Sequence, residues 1–329
     1  MKDAIGPARR GCLVYSDGYF ADIGAHVFPM EKFALTRRFL IDSGAAVEED
    51  FVAPEPATEA EVLRVHTPEY LQKLKQGRLS PLEILTLELP YSPDLVRASM
   101  LCAGGTIAAC RLALEHGFAG NLAGGFHHAF SDHGEGFCVL NDIAIGLAAV
   151  LAEGRVERAA VIDLDVHQGN GTAAIFAGNP QVFTCSIHQE HNYPAVKPPS
   201  DLDLGLDDGA GGREYLQALD TALTATLVAR PGLLVYVAGA DPYEHDQLGG
   251  LSLTLDDLRR RDERVLGAAA EAGVPVAVVP AGGYALDLRD TVSIHATTLR
   301  LGLESRQDSP PRHNAPRPAS QPSAPPGRR

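Results

Sequence analysis

The chain has 329 residues, 45% of them hydrophobic, which is enough to bury the core of one sizeable α/β domain. Its 28 basic and 42 acidic residues give a formal net charge of −14. That balance excludes a phosphate backbone as the main partner, and it suits either a cationic substrate or simple solubility.

The first clear element is a helix over 93–116, after which NLAGGF reads as a short apolar piece ending in a Gly-Gly turn. A helix over 142–153 leads to a strand over 159–166, and a second strand follows over 182–187. The spacing then predicts a helix over 213–229, a strand over 233–238, a helix over 255–272 and a strand over 274–279. Each strand is a continuous apolar run, as parallel strands covered on both faces require. The implied fold is an open, mostly parallel α/β sheet with helices on both faces, in one domain over 1–304. Residues 305–329 are rich in proline, serine and arginine, so a disordered tail is expected there. Five scattered cysteines without a CxxC pair fit a reducing compartment rather than a disulfide framework. Without an N-terminal apolar leader or an apolar run near the ~20 residues that span a bilayer, a soluble cytoplasmic protein is expected, with no nucleic-acid or membrane partner. The number of subunits stays open.

In an open α/β sheet, ligands bind beyond the carboxyl ends of the strands. Asp163, Asp165 and His167 stand at one such end, Ser186 and His188 at the next, Asp241 after LLVYVAGA and Tyr284 after PAGG. Asp165 and His167 are two apart, which on extended backbone turns both side chains the same way. With Asp241 they make a three-ligand set of the kind that leaves a metal one open position, best suited to Zn²⁺ and also admitting Fe²⁺, Co²⁺ or Mn²⁺. Strand-end aspartates also cap loops, but Gly169, Asn170 and Gly171 and the matching Asp241 favour the metal. His127 and His128 offer a general base and an electrostatic partner beside it, or else extra ligands or core histidines. Tyr284 offers an oxyanion donor, or a tyrosine packed at a turn.

Taken together, GGFHHAFSDHGEGFCVLNDIA, VIDLDVHQGNGT, SIH, AGADPYEHDQLGG and PAGGY resemble the histone deacetylase family of the arginase/deacetylase fold. The match runs from about Tyr15 to Leu303, and HVFPMEK, HQGNG and DPYEHD look most like the class IV branch and its bacterial relatives. The resemblance implies Asp165, His167 and Asp241 as zinc ligands, His128 as base, His127 as its partner oriented by Asp163, and Tyr284 as the carbonyl-polarising donor. It implies a potassium site at Asp163, Asp165, His167, Ser186 and Ile187. Phe137 and Tyr193 would line an acyl-lysine channel flanked by Gly136 and Cys138, with Leu248 near its mouth. Asn170 departs from the aspartate that many relatives hold behind the second histidine, so His128 should be less basic here. For the acidic residue that grips the substrate backbone, Glu83 and Glu88 both stand open.

The implied reaction is hydrolysis of an acetyl or longer fatty-acyl group from acyl-lysine, in a peptide or protein. The alternative substrate is a small acylated amine such as an acetylpolyamine. A non-catalytic acyl sensor would be expected to lack one of these residues, and an arginase-like dimanganese enzyme would need further carboxylates.

Overall fold

Every expected strand forms, and the eight strands among the described residues join one parallel sheet. The computed structural model describes residues 11–305. The strands are β1 (Leu13–Val14), β2 (Phe51–Val52), β3 (Phe118–Asn121), β4 (Ala159–Asp163), β5 (Val182–Gln189), β6 (Leu202–Leu206), β7 (Leu234–Val237) and β8 (Val276–Val279). They lie in the order β2-β1-β3-β8-β7-β4-β5-β6. The helices are α1 (Lys32–Asp42), α2 (Glu59–Val62), α3 (Pro68–Gln76), α4 (Pro81–Leu87), α5 (Pro93–His116), α6 (Asp142–Ala152), α7 (Asn170–Phe176), α8 (Gly212–Val228), α9 (Leu255–Glu271) and α10 (Leu288–Ser305). Ser305, expected to open the tail, still belongs to α10. The remainder of that tail, 306–329, lies outside the described residues.

Strand alternation explains why the apolar runs are continuous. Ala160, Ile162, Leu234, Tyr236, Val276 and Val278 pack into the core under α8, α9 and α10. Their neighbours Ala159, Val161, Val235, Val237, Ala277 and Val279 pack into the opposite core under α5, α6 and α7. Successive residues of a strand point to opposite faces, so a sheet covered twice needs both to be apolar. β6, at the sheet edge, alternates between half-buried and exposed residues instead and escapes the continuous-run pattern.

Local capping sets the helix bounds. Ser92 accepts from Leu95 N at the start of α5, Pro93 takes the first helical position, and Gly117 ends it in the left-handed region at φ 85°. By length and composition α5 could span a bilayer, with a stretch of mean hydropathy 1.3. This departs from the expectation that no run approaches that length. Instead α5 packs against α6, β3 and β8, with most of that stretch buried.

Beneath the centre of the sheet, Arg261 and Asp262 are both buried. Arg261 Nε donates to Asp262 Oδ1 (2.9 Å), which also accepts from Tyr236 OH (2.5 Å), while Asp262 Oδ2 accepts from Thr298 Oγ1 (2.6 Å). Arg261 Nη1 donates to the Gly239 carbonyl (2.6 Å), anchoring the turn that presents Asp241. Asp262→Ala would leave a buried guanidinium uncompensated. A loss of about 3–5 kcal/mol is expected, read from urea unfolding. Retention of wild-type stability would show that Arg261 finds another partner.

Candidate metal and catalytic site

The four central strands β3, β8, β7 and β4 are neighbours, so their carboxyl ends deliver the scattered polar residues to one place. Asp163 is the last residue of β4, and the chain bends there. Asp165 and His167 therefore sit on a bend rather than on the extended backbone expected over 159–166. They still converge, because Asp165 Oδ1 accepts from His167 N (3.0 Å) and lies 3.1 Å from His167 Nδ1. One ligand atom each from Asp165, His167 and Asp241 fall within 4.8 Å of one another, and all three residues are buried.

The donors fit a cation. Asp241 Oδ1 accepts from Val166 N (2.9 Å) and Asp165 Oδ2 from Gly282 N (2.8 Å), which fixes both carboxylates from outside. Asp241 Oδ2, by contrast, is buried with no hydrogen-bond partner, 3.5 Å from His167 Nδ1. Burial and the Asp165 carboxylate push Asp241 up to about 7, as expected for negative charges crowded in a dry site. A divalent ion among the three would answer both the repulsion and the orphaned oxygen. Gly282 has to be glycine, since a Cβ there would lie 2.0 Å from Asp241 Oδ2.

The histidines divide by charge. His127 Nδ1 lies 2.7 Å from Asp163 Oδ2. Burial opposes its protonation, but Asp163 and Asp165 outweigh that and hold the imidazole up at about 9. His128 is pushed well down, first by burial and then by His127 and His167. The hydrogen bond to Asn170 works the other way and raises it, without offsetting the burial and the two neighbouring histidines. His128 Nε2 is 3.1 Å from His127 Nε2, and Nδ1 is 2.7 Å from Asn170 Oδ1.

Above these residues opens a cleft of about 390 Å³, lined by Gly136, Phe137, Tyr193, Leu248 and Tyr284 with His26, Glu88 and Asn192, and floored by His128 and His167. A smaller chamber of about 20 Å³ continues past Asp165 and Tyr284 between Phe28, Phe33 and Phe126. Cys138 lines this inner chamber and not the outer cleft. Burial pushes the Tyr284 phenol well above its ordinary range, so its hydroxyl stays a donor. Asp163 and Ser186 face each other in register on β4 and β5, while Ile187 points into the core.

Residues 26–299 match the histone deacetylase domain. The chain belongs to the histone deacetylase family. It is 43% identical over 294 residues to an uncharacterised protein of Picosynechococcus, covering 89% of this chain and 98% of that one. It is 32% identical over 292 residues to histone deacetylase 2 of Arabidopsis thaliana, covering 84% of this chain and 76% of that one. A histone deacetylase-like amidohydrolase of Pseudomonas aeruginosa is 32% identical over 263 residues, covering 74% of this chain and 68% of that one. Amide hydrolysis of the histone deacetylase type is accordingly the chemistry of this site.

Between the two acidic residues left open by the sequence, the structure separates clearly. Glu83 is spent on Lys73 Nζ (2.7 Å) and on capping α4. Glu88, at the left-handed end of α4, lies at the cleft mouth, where its carbonyl is 3.0 Å from His26 Nε2. Three other residues escaped the sequence reading. His26 packs edge-on to Phe137 (4.9 Å between rings). Lys32 is buried, donates to the Ala281 carbonyl (2.7 Å) and lies 4.7 Å over the Phe28 ring, with burial pushing it down to about 8. Glu135 sits behind Asn170 and Tyr193. The signals in the sequence are the GEG of the histidine motif for Glu135 and HVFPMEK for His26 and Lys32, although a lysine opening a helix ordinarily faces water.

Proposed function

We propose that this histone deacetylase family member is a zinc-dependent hydrolase of acetyl-lysine in peptides or proteins. The observation that carries the reading is the convergence of an Asp165–His167–Asp241 set holding an orphaned carboxylate oxygen, one cationic and one neutral histidine and a protonated tyrosine at the floor of one cleft. Asp165, His167 and Asp241 would hold the ion, Zn²⁺ first and Fe²⁺ second by donor type. When bound, it would act as a Lewis acid toward the acyl carbonyl and lower the pKa of water.

The chain's own residues supply the rest. His128 Nε2 takes a proton from the attacking water, as its neutral imidazole allows. Tyr284 donates to the oxygen of the tetrahedral intermediate. His127, kept cationic by Asp163, stabilises the developing negative charge. As the carbon–nitrogen bond breaks, a protonated histidine gives its proton to the leaving amine, and the acyl group departs as a carboxylate. Phe137 and Tyr193 form the walls for the lysine methylenes, with Gly136 and Leu248 beside them. Asp163, Asp165, His167, Ser186 and Ile187 are proposed to hold a structural K⁺ under the site. No disulfide joins the five cysteines, all of which are buried, in keeping with a cytoplasmic setting.

The inner chamber favours acetyl over longer acyl groups, since about 20 Å³ holds about one water-sized group. A small acylated amine remains the second reading, because Glu88 at the mouth suits a distal ammonium as well as a peptide N–H. Asp246 does not contribute there, being spent on Tyr284 N, Leu248 N and Gly249 N. Release of acyl groups from acetyl to myristoyl, measured on lysine peptides with and without chelator, tests the reading. Chelator-sensitive turnover that peaks at acetyl is expected; turnover unaffected by metal removal would sink it. Glu88→Ala is expected to raise KM for an acetyl-lysine peptide about tenfold or more, the value of one hydrogen bond to a charged group. An equal effect on acetylated polyamines and none on peptides would favour the second reading.

A further inference from the structure

The carboxylate that many relatives place directly behind the second histidine is replaced here by Asn170, and a different carboxylate stands one hydrogen bond further out. Glu135 Oε1 accepts from Asn170 Nδ2 (2.7 Å) and from Tyr193 OH (2.7 Å). It is half-buried and held below the usual carboxylate range: burial opposes this, but the hydrogen bonds from His133, Tyr193 and Asn170 prevail. The backbone fixes it as well. Glu135 N donates to Cys138 O (3.1 Å) and Cys138 N to Glu135 O (2.8 Å), closing a tight turn whose central residues Gly136 and Phe137 have φ of 51° and 66°. Left-handed values at both central positions are the pattern of a type I′ turn.

Donor–acceptor logic then runs inward. An ionised carboxylate only accepts, so Asn170 must turn its NH₂ toward Glu135 and its carbonyl oxygen toward His128. That oxygen also only accepts, so His128 must carry its proton on Nδ1. Nε2 is left without a hydrogen of its own, 3.1 Å from the His127 Nε2 whose hydrogen it can accept, and His128 lines the floor of the cleft. A flipped Asn170 would present NH₂ to Nδ1 and favour the opposite tautomer, whose Nε2 bears a hydrogen and cannot take one from water. On the other side, Tyr193 stands edge-on to His128 with ring centroids 4.9 Å apart, so one carboxylate braces both the base and the channel wall.

We propose that Glu135 is a positioning residue: through Asn170 it fixes His128 in the tautomer that can act as base, and through Tyr193 it fixes the channel wall. This rests on the reading of His128 as the base. In the metal-loaded full chain, Glu135→Ala is expected to lower kcat on the order of 10–100-fold, as loss of an outer partner of a working histidine does, and to raise KM as Tyr193 is released. Adding Asn170→Asp places an acceptor-only group directly on His128 Nδ1. The double variant E135A/N170D should therefore recover kcat to within about threefold of wild type, a coupling that independent sites do not show, while KM stays high. E135Q keeps shape and an acceptor, and it should fall between wild type and E135A; it carries the comparison should E135A melt early.

Nitrogen-15 NMR of His128 gives a reading independent of turnover. Wild type and E135A/N170D should show a protonated Nδ1 and a bare Nε2, and E135A a mixture of tautomers. One unchanged tautomer in E135A, or a kcat loss that N170D does not restore, overturns the proposal. If wild type hydrolyses no acyl-lysine while the tautomers still mix in E135A, the proposed reaction fails and this inference stands.

Discussion

Asp241→Asn is expected to remove metal binding and to reduce amide hydrolysis by at least on the order of 10³-fold, more than loss of a single oxyanion donor, because the Lewis acid and the lowered pKa of water go together. Asparagine is the informative substitution. Its oxygen can still accept from Val166 N, which sits 2.9 Å from Asp241 Oδ1, so the fold around the turn keeps its support. What changes is the atom at Oδ2, the buried oxygen that has no protein partner. Metal content by mass spectrometry and a thermal-shift titration provide the measurement. Zinc in 100-fold excess over its dissociation constant stabilises a folded protein by about 2.7 kcal/mol. The melting temperature of wild type should rise accordingly, and that of the variant should not. A variant that binds zinc as tightly as wild type would show that the ligand set lies elsewhere.

The ease with which this cluster is read from sequence has a physical basis. Parallel strands buried on both faces must be apolar throughout, so 159–166, 233–238 and 274–279 stand out, and polar residues just past them stand out against that background. The strand expected over 159–166 stops at Asp163, at a bend that periodicity does not register, whereas the strand over 182–187 runs on to Gln189. α5 was bounded correctly because Ser92, Pro93 and Gly117 are explicit stop and start signals. β1 and β2 were missed because two residues carry no period, and β6 because it lies at an edge. In the site itself, residues that announce their chemistry by type were found. Contact decides the rest: the choice between Glu83 and Glu88 waits on the course of α4, and Glu135 on the turn that aims it at Asn170. Gly136 and Phe137 line both the cleft and the inner chamber, whereas Cys138 lines the inner chamber, a depth that sequence does not register.

Tyr284→Phe is expected to lower kcat on the order of 10²–10³-fold, about 2.7–4 kcal/mol of transition-state stabilisation, with KM little changed. The split follows from what the hydroxyl does. It meets charge that develops on the acyl oxygen only as water attacks, so its removal should spare substrate binding. The ring is held independently of the hydroxyl: Tyr284 N donates to Asp246 Oδ2 (2.7 Å), Gln247 Nε2 donates to its carbonyl (2.8 Å), and the ring packs near Phe28 and Phe137. Phenylalanine should therefore sit in the same place with the same melting temperature. Burial, then Asp165 and Asp241, push the phenol well above its ordinary value. Wild type should accordingly show no loss of activity near pH 10 from ionisation of this group, and the pH profile of the variant should keep its shape while dropping in height. A variant with nearly full kcat would take Tyr284 out of the mechanism and leave His127 to stabilise the oxyanion. A profile whose alkaline limb disappears with the hydroxyl would mean instead that the tyrosine titrates in the working range and takes part as an acid.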